Sequence, residues 1–207
     1  MSGSDFRIGV LGSGNGSNCE AILKACESGR IHGRVAVVLS DVADALILER
    51  ARKHGIPARF IGPSQFKTKF EPELEEEAVR MLLDAGVRFV ALAGYMRVLK
   101  TPLLHAFPGR IMNVHPSLLP AFPGLRAWEQ ALAHGVKVTG CTVHFVEEGV
   151  DAGPIIMQEA VPVLENDTAA TLHLRIQAVE HKIYPEAIGL FASGKLKVDG
   201  RTVRTLL

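Results

Sequence analysis

Short apolar runs alternate with helix-patterned segments along most of this 207-residue chain, and no other feature narrows its possible folds as far. Runs that read as strands occupy residues 6–11, 35–39, 58–61, 87–93, 110–114, 138–146 and 154–163. Helical patterns lie among them: from residue 17, then 41–54, 72–85, a short one from 101, 127–134 and 167–192. The run at 87–93 is nearly all apolar, as expected of a strand covered on both faces. Strands that alternate with helices pair in parallel, because a crossover helix carries the chain back to the starting edge. The expected fold is α/β: a Rossmann-like three-layer fold, with a mainly parallel, twisted sheet of about seven strands flanked by helices. Residues 196–206 read as a hairpin turning at Asp199-Gly200. The length suits one large domain and not two generous ones.

Composition excludes several classes of protein. Hydrophobic residues make up 47%, enough to bury a sizeable core, so disorder is not the dominant state. Lys plus Arg is 23 against 22 Asp plus Glu, and a net charge of +1 gives no footprint for nucleic acid or an anionic membrane. Apolar stretches such as residues 35–39 fall far short of the ~20 residues that span a bilayer. The start, Met1-Ser2-Gly3-Ser4-Asp5, has no apolar signal core. Cys19, Cys26 and Cys141 cannot all pair within one chain and form no C-x-x-C, so reduced thiols and a cytoplasmic location are expected. There is no H-E-x-x-H and no paired Cys/His spacing, so no metal is expected.

In open parallel sheets, ligands sit at the carboxyl ends of strands. Residues 12–18, 94–99 and 113–124 meet that condition. The first, Gly12-Ser13-Gly14-Asn15-Gly16-Ser17-Asn18, joins a strand to a helix. Its glycines allow backbone N–H groups to approach an anion, and the helix N-terminus supplies further donors. A dinucleotide fingerprint would need glycine where Ser17 stands, and no Gly-Lys-Ser/Thr follows. The loop therefore reads as a phosphate cradle, with Ser17 and Asn18 adding side-chain donors. The competing reading is a tight turn whose Ser17 and Glu20 form a capping box.

Asn113-Val114-His115-Pro116 ends another strand. Asn113 and His115 are two apart, so on extended backbone they point the same way. They can offer an amide N–H and an imidazole N–H to one oxygen, the arrangement that stabilises an oxyanion in acyl transfer. A loop histidine bonded to nearby backbone is the plainer alternative. A histidine that gives up a proton needs a charged partner, and Asp151 in Gly149-Val150-Asp151-Ala152-Gly153-Pro154 is the candidate. A carboxylate beside an imidazole favours its charged form. An Asx-turn role for Asp151 remains open. His144 reads as a satisfied, half-buried histidine.

At these residues the chain resembles the folate-dependent formyltransferases. The Gly12–Asn18 loop, Ala91-Leu92-Ala93-Gly94-Tyr95-Met96-Arg97, Asn113-Val114-His115-Pro116-Ser117-Leu118-Leu119-Pro120 and Asp151-Ala152-Gly153-Pro154 occur in the family's order and spacing. The resemblance covers about residues 6–195, and the Gly-Asn-Gly-Ser-Asn loop narrows it to members that formylate glycinamide ribonucleotide. It implies formyl transfer from 10-formyltetrahydrofolate, as co-substrate, to the ribonucleotide amine in purine synthesis. It implies one formyltransferase domain over 1–207, with phosphate bound by about 1–100 and folate and chemistry by about 101–207.

The same resemblance implies roles for residues. Gly16, Ser17 and Asn18 would bind the ribonucleotide phosphate, and Gln177 and Glu180 the ribose and glycinamide end. Asn113 and His115 would stabilise the formyl oxyanion, with His115 as general acid and Asp151 orienting it. Met96, Arg97, Val98 and Leu99 would line the folate slot, with Glu147, Glu148, Gly149, Val150 and Asp151 opposite. A basic loop residue, Lys67 or Lys69, would meet the folate. The segment from Lys195 departs from the family pattern. The partners implied are these two small molecules, with neither nucleic acid nor membrane, and a homodimer is open. Three alternatives stand beside this reading. A tRNA formyltransferase would carry a further basic C-terminal domain, and a formyltetrahydrofolate hydrolase a further N-terminal one. A non-catalytic nucleotide-binding module would explain the glycine loop but not Asn113, His115 and Asp151 together.

Overall fold

Nine strands and six helices make up the described part of the chain, residues 6–206, in a computed structural model. The strands are β1 (Arg7–Leu11), β2 (Arg34–Ser40), β3 (Ala58–Phe60), β4 (Phe89–Leu92), β5 (Ile111–His115), β6 (Val138–Phe145), β7 (Ile155–Pro162), β8 (Leu196–Asp199) and β9 (Thr202–Thr205). The helices are α1 (Ser17–Glu27), α2 (Leu46–Lys53), α3 (Pro72–Asp84), α4 (Thr101–Ala106), α5 (Ala127–Ala133) and α6 (Ala169–Ala192). The start expected to lack a signal core, residues 1–5, and Leu207 lie outside the described residues.

All nine strands join one sheet in the order β3-β2-β1-β4-β5-β6-β7-β9-β8. β3, β2, β1, β4 and β5 are parallel. β6 runs antiparallel to both β5 and β7. The expected seven strands are β1 to β7. The count rises to nine because the C-terminal hairpin, closed at Gly200 with φ 56°, docks on the same sheet. That docking rests on a parallel bridge of Ile155 to Thr202, a long-range pairing with no local signature.

Side chains alternate across the strands, so the sheet divides the core in two. Phe89 and Ala91 of β4 pack with Ile22, Ile176 and Tyr184 from α1 and α6. Val90 and Leu92 pack with Ala78, Leu82 and Leu103 from α3 and α4. Both faces are covered, which is why this strand reads as a continuous apolar run. Phe89 is fully buried, and replacing it by alanine should cost ~3–5 kcal/mol.

Strand order reverses direction between β1 and β4, which opens a crevice at their carboxyl ends. The loops after β1 and β4 are stitched there. The Ser13 N–H donates to the Gly94 carbonyl at 3.1 Å, and the Met96 N–H to Ser13 Oγ at 2.9 Å. From α6, the Tyr184 hydroxyl lies 2.9 Å from the carbonyls of both Leu92 and Met112. One helix differs from expectation: α2 starts at Leu46, not at residue 41. Ser40 Oγ accepts the Val42 N–H and Asp41 accepts from Arg97, and such side-chain bonds compete with helix formation.

Candidate active site

The glycine loop leads into α1 without a side-chain cap. Gly16 is the N-cap, left-handed at φ 78°, and the first intrahelical bond runs from the Glu20 N–H to the Gly16 carbonyl at 2.9 Å. The capping box expected of Ser17 and Glu20 does not form. Glu20 turns instead to Lys24 at 3.3 Å and His54 at 3.2 Å. The N–H groups of Ser17, Asn18 and Cys19 therefore precede any intrahelical acceptor and face the loop. Gly16 has no room for a side chain, since a Cβ would come 2.7 Å from Ile47. Gly14 is the opposite case: a Cβ there meets nothing within 4 Å, so this glycine answers to no neighbour in the fold.

Asn18 ties the expected cradle to α6. Its amide Nδ2 donates to Glu180 Oε2 at 2.8 Å, in a buried bond between α1 and α6. One Nδ2 proton is committed there, which leaves Asn18 its second Nδ2 proton and its backbone N–H. Burial pushes the Glu180 carboxyl up to about 7, against the opposing effect of the Asn18 bond. Gln177 is half-buried one turn earlier on the same helix.

The second group of candidates forms on the antiparallel pair. Asn113 sits opposite His144, and His115 opposite Thr142. Asn113 Nδ2 lies 3.3 Å from His144 Nε2. His144 Nδ1 donates to the Phe145 carbonyl at 2.8 Å, so Nε2 is the acceptor and the ring is neutral. Burial also holds His144 below the usual histidine range. Asp151 reaches this pair from the β6–β7 turn. Its Oδ2 is 3.3 Å from His115 Nδ1 and accepts the Gly124 N–H at 2.8 Å, while its Oδ1 is 3.7 Å from His144 Nε2. His115 Nε2 donates to the Phe122 carbonyl at 2.8 Å. The two donors expected to converge on one oxygen thus each have a protein acceptor in this arrangement. Asn113 keeps a second Nδ2 proton for a substrate oxygen, whereas His115 must leave Phe122 to meet it.

Backbone strain gathers around this group. Phe122, Arg126 and Asp151 have φ values of 53°, 55° and 51°, the left-handed region that side chains other than glycine seldom adopt. The loop after β5 is strapped down by Thr142, whose Oγ1 donates to the Ser117 carbonyl at 2.7 Å and accepts the Leu119 N–H at 3.0 Å. Gln158 Nε2 adds a bond to the Leu119 carbonyl at 2.9 Å.

The folate candidates divide. Met96 and Val150 are exposed, as are Glu147, Glu148 and Gly149. Leu99 is buried and Val98 half-buried, its N–H donating to the Thr68 carbonyl at 2.9 Å. The Arg97 side chain faces inward: it binds Asp41 Oδ2 at 2.7 Å, Ser64 Oγ at 3.1 Å and the Lys69 carbonyl at 2.6 Å. It holds the loop of residues 62–70 in place, so only its backbone is available to a ligand. On that loop Lys67 is exposed, and Lys69 Nζ lies 4.6 Å from the Phe66 ring centre.

Sequence reasoning missed His144 as a partner of Asn113, and Thr142 and Gln158 as supports. The alternation of Val143 and Phe145 with Thr142 and His144 was the available signal; it placed the two polar residues on one face but not opposite Asn113 and His115. A groove of about 750 Å³ between α3 and α4 contains none of the catalytic candidates. Its buried Glu75 accepts the Lys100 N–H at 2.7 Å, and burial raises its carboxyl above the usual range. Cys19, Cys26 and Cys141 are unpaired, and burial pushes their thiols up to about 12, 11 and 12. Among the described residues, no group of three or more His, Cys, Asp or Glu could hold a metal ion, and no helix is long and apolar enough to cross a membrane.

Residues 6–188 match a family described as formyl transferase, and the chain belongs to that family. It is 44% identical over 195 residues to a phosphoribosylglycinamide formyltransferase of Escherichia coli (strain K12), covering 93% of this chain and 90% of that one. It is 45% identical over 193 residues to the trifunctional purine biosynthetic protein adenosine-3 of Homo sapiens, covering 93% of this chain but 19% of that protein, so it spans less than a fifth of it. The crystal structure of glycinamide ribonucleotide transformylase 1 from Symbiobacterium toebii superposes with a TM-score of 0.94 at 58% identity, covering 98% of this chain and 94% of that one.

Proposed function

We propose that this chain transfers the formyl group of 10-formyltetrahydrofolate to the amine of 5′-phosphoribosylglycinamide, giving 5′-phosphoribosyl-N-formylglycinamide and tetrahydrofolate in purine biosynthesis. The observation that carries the reading is the grouping of Asn113, His115 and Asp151 around His144 at the same carboxyl end of the parallel sheet as a strand–helix loop whose N–H groups precede any intrahelical acceptor. The glycine loop holds the phosphate. Glu180 and Gln177 receive the ribose and glycinamide end, and since Asn18 bonds Glu180, that site draws on both halves of a single domain. The loops at 96–99 and 147–151, with Lys67 or Lys69, receive the folate.

The neutral amine attacks the formyl carbon, and the carbonyl electron pair moves to its oxygen. Asn113 and His115 donate to that oxyanion, and Asp151 holds the His115 ring by its other nitrogen. The carbonyl re-forms as the folate nitrogen leaves with a proton, and the amine loses one. No serine or cysteine nucleophile takes part. The same reading makes the protein a cytoplasmic enzyme that acts on small molecules, with a homodimer as the assembly to look for by sedimentation.

The test is to follow folate absorbance with purified protein and 10-formyl folate, with and without the ribonucleotide. Formyl loss only when ribonucleotide is present supports the transferase. Equal loss without it replaces transfer by hydrolysis, and no loss in either case leaves a binding module.

A further inference from the structure

Helix α2 grips the glycine loop from behind at three consecutive residues. The Ile47 N–H donates to the Gly14 carbonyl at 3.1 Å. Arg50 donates from Nε to the Asn15 carbonyl and from Nη2 to Asn15 Oδ1, both at 2.8 Å. Gly16 lies so close to Ile47 that no side chain fits between them. Both peptides concerned are trans, so each carbonyl points opposite to the N–H that follows it. With the Gly14 and Asn15 carbonyls drawn onto α2, the N–H groups of Asn15 and Gly16 are turned away from it. Successive N–H groups turned to one side make an anion-binding concavity.

We propose that Arg50 is a positioning residue of this cradle. By holding both oxygens of Asn15 it fixes the aim of the Gly16 N–H at the phosphate of the ribonucleotide, and it places a cation behind the loop. The inference rests on the glycine loop being the phosphate site. Glu20 does not draw Arg50 away. Its carboxylate is 4.0 Å from Arg50 but 3.3 Å from Lys24 and 3.2 Å from His54. The planar guanidinium suits two parallel bonds to Asn15, which a lysine ammonium cannot reproduce.

The experiment uses Arg50→Ala and Arg50→Lys in the full chain, with ribonucleotide, its dephosphorylated nucleoside and folate as substrates and inorganic phosphate as competitor. The KM for ribonucleotide should rise about ten-fold in Arg50→Ala and about three-fold in Arg50→Lys, since one charge-assisted bond alone is worth this much. The inhibition constant of phosphate should rise by the same factors. Turnover at saturation and the folate KM should stay within about two-fold of wild type, and kcat/KM for the dephosphorylated nucleoside should not move. If Arg50→Ala fails to fold, Arg50→Lys carries the same comparison. An unchanged phosphate inhibition constant, or equal losses on phosphorylated and dephosphorylated substrates, overturns the assignment. Wild-type controls separate the two levels: if phosphate does not compete with ribonucleotide in the wild type, the glycine-loop reading falls and this role falls with it.

Discussion

Between Gly12 and Asn18 the chain offers main-chain N–H groups, aimed by the backbone itself; between Asn113 and Asp151 it offers side chains, each held by another side chain or carbonyl. The first region lies among parallel strands and is built from glycine, a helix start and the hold of α2, through Ile47 and Arg50. The second lies on an antiparallel pair, where the cross-strand register sets Asn113 against His144. A binding contact that exists before and after reaction can be built from fixed backbone dipoles. Charge that appears only in the transition state calls for donors whose protonation and orientation are set by neighbours.

The contrast predicts a split in mutant kinetics, and the largest effect belongs to the side-chain region. Asn113→Ala should lower turnover ~100-fold or more, the ~2.7–4 kcal/mol of one oxyanion donor, with little change in either KM. Near-normal turnover in that variant would break the contrast at its strongest point.

Glu180, buried where the two regions join, is the next test. Burial raises its carboxyl from about 4.5 to about 7 in the fold. Between these values the folded state holds a proton that the unfolded chain has released, so stability falls as pH rises from about 4.5 to about 7 and then levels off. The expected loss is roughly 2–3 kcal/mol, and Glu180→Gln should remove it. Urea unfolding of both proteins at pH 5 and pH 8 measures the slope; identical slopes would mean that Glu180 stays charged in the fold.

Ser17→Ala sharpens the contrast from the backbone side. The KM for ribonucleotide should rise about ten-fold, as for loss of one hydrogen bond to a charged group, while turnover at saturation stays close to wild type. A fall in turnover equal to the rise in KM would show that the loop also acts in the chemical step.

The smallest effect concerns His54, which binds Glu27 at 2.7 Å and Glu20 at 3.2 Å beside the loop. The Glu27 bond, followed by that of Glu20, raises the His54 ring above its usual range despite some desolvation. Its stabilising contribution is whole below the unfolded value and is lost as pH rises through the folded one. Thermal unfolding of His54→Gln should differ from wild type below pH 6.5, less in high salt, and converge with it at alkaline pH. A constant difference at every pH would assign His54 to packing alone.

The backbone region was the more legible in sequence. Gly12 and Gly16 after an apolar run announce a close approach, and the continuous run at 87–93 announced a strand buried on both faces. Asn113 and His115 were legible as a pair because they are two apart on one strand. The role of His144 was not, because the register of an antiparallel pair separated by 31 residues leaves no local mark. The capping box failed partly for a similar reason: besides Lys24, four residues on in α1, Glu20 found His54 at the end of α2, a partner 34 residues away that no helix rule contains. The grip of Arg50 on Asn15, 35 residues away, is likewise a fact of packing.

Tyr184 bears on how this protein can move. Its hydroxyl joins α6 to the last carbonyl of β4, that of Leu92, and to that of Met112 in β5, one helical turn from Glu180. The helix that carries Gln177 and Glu180 and the strand that carries Asn113 are thereby one mechanical unit, and its core is fully buried. Closure around two substrates cannot come from hinging that unit. It falls to the loops, residues 62–70, held by the Arg97 side chain and the Val98 N–H, and residues 146–154, held through Asp151 and by backbone bonds at their two ends, which should exchange their amide protons before the strands beneath them do.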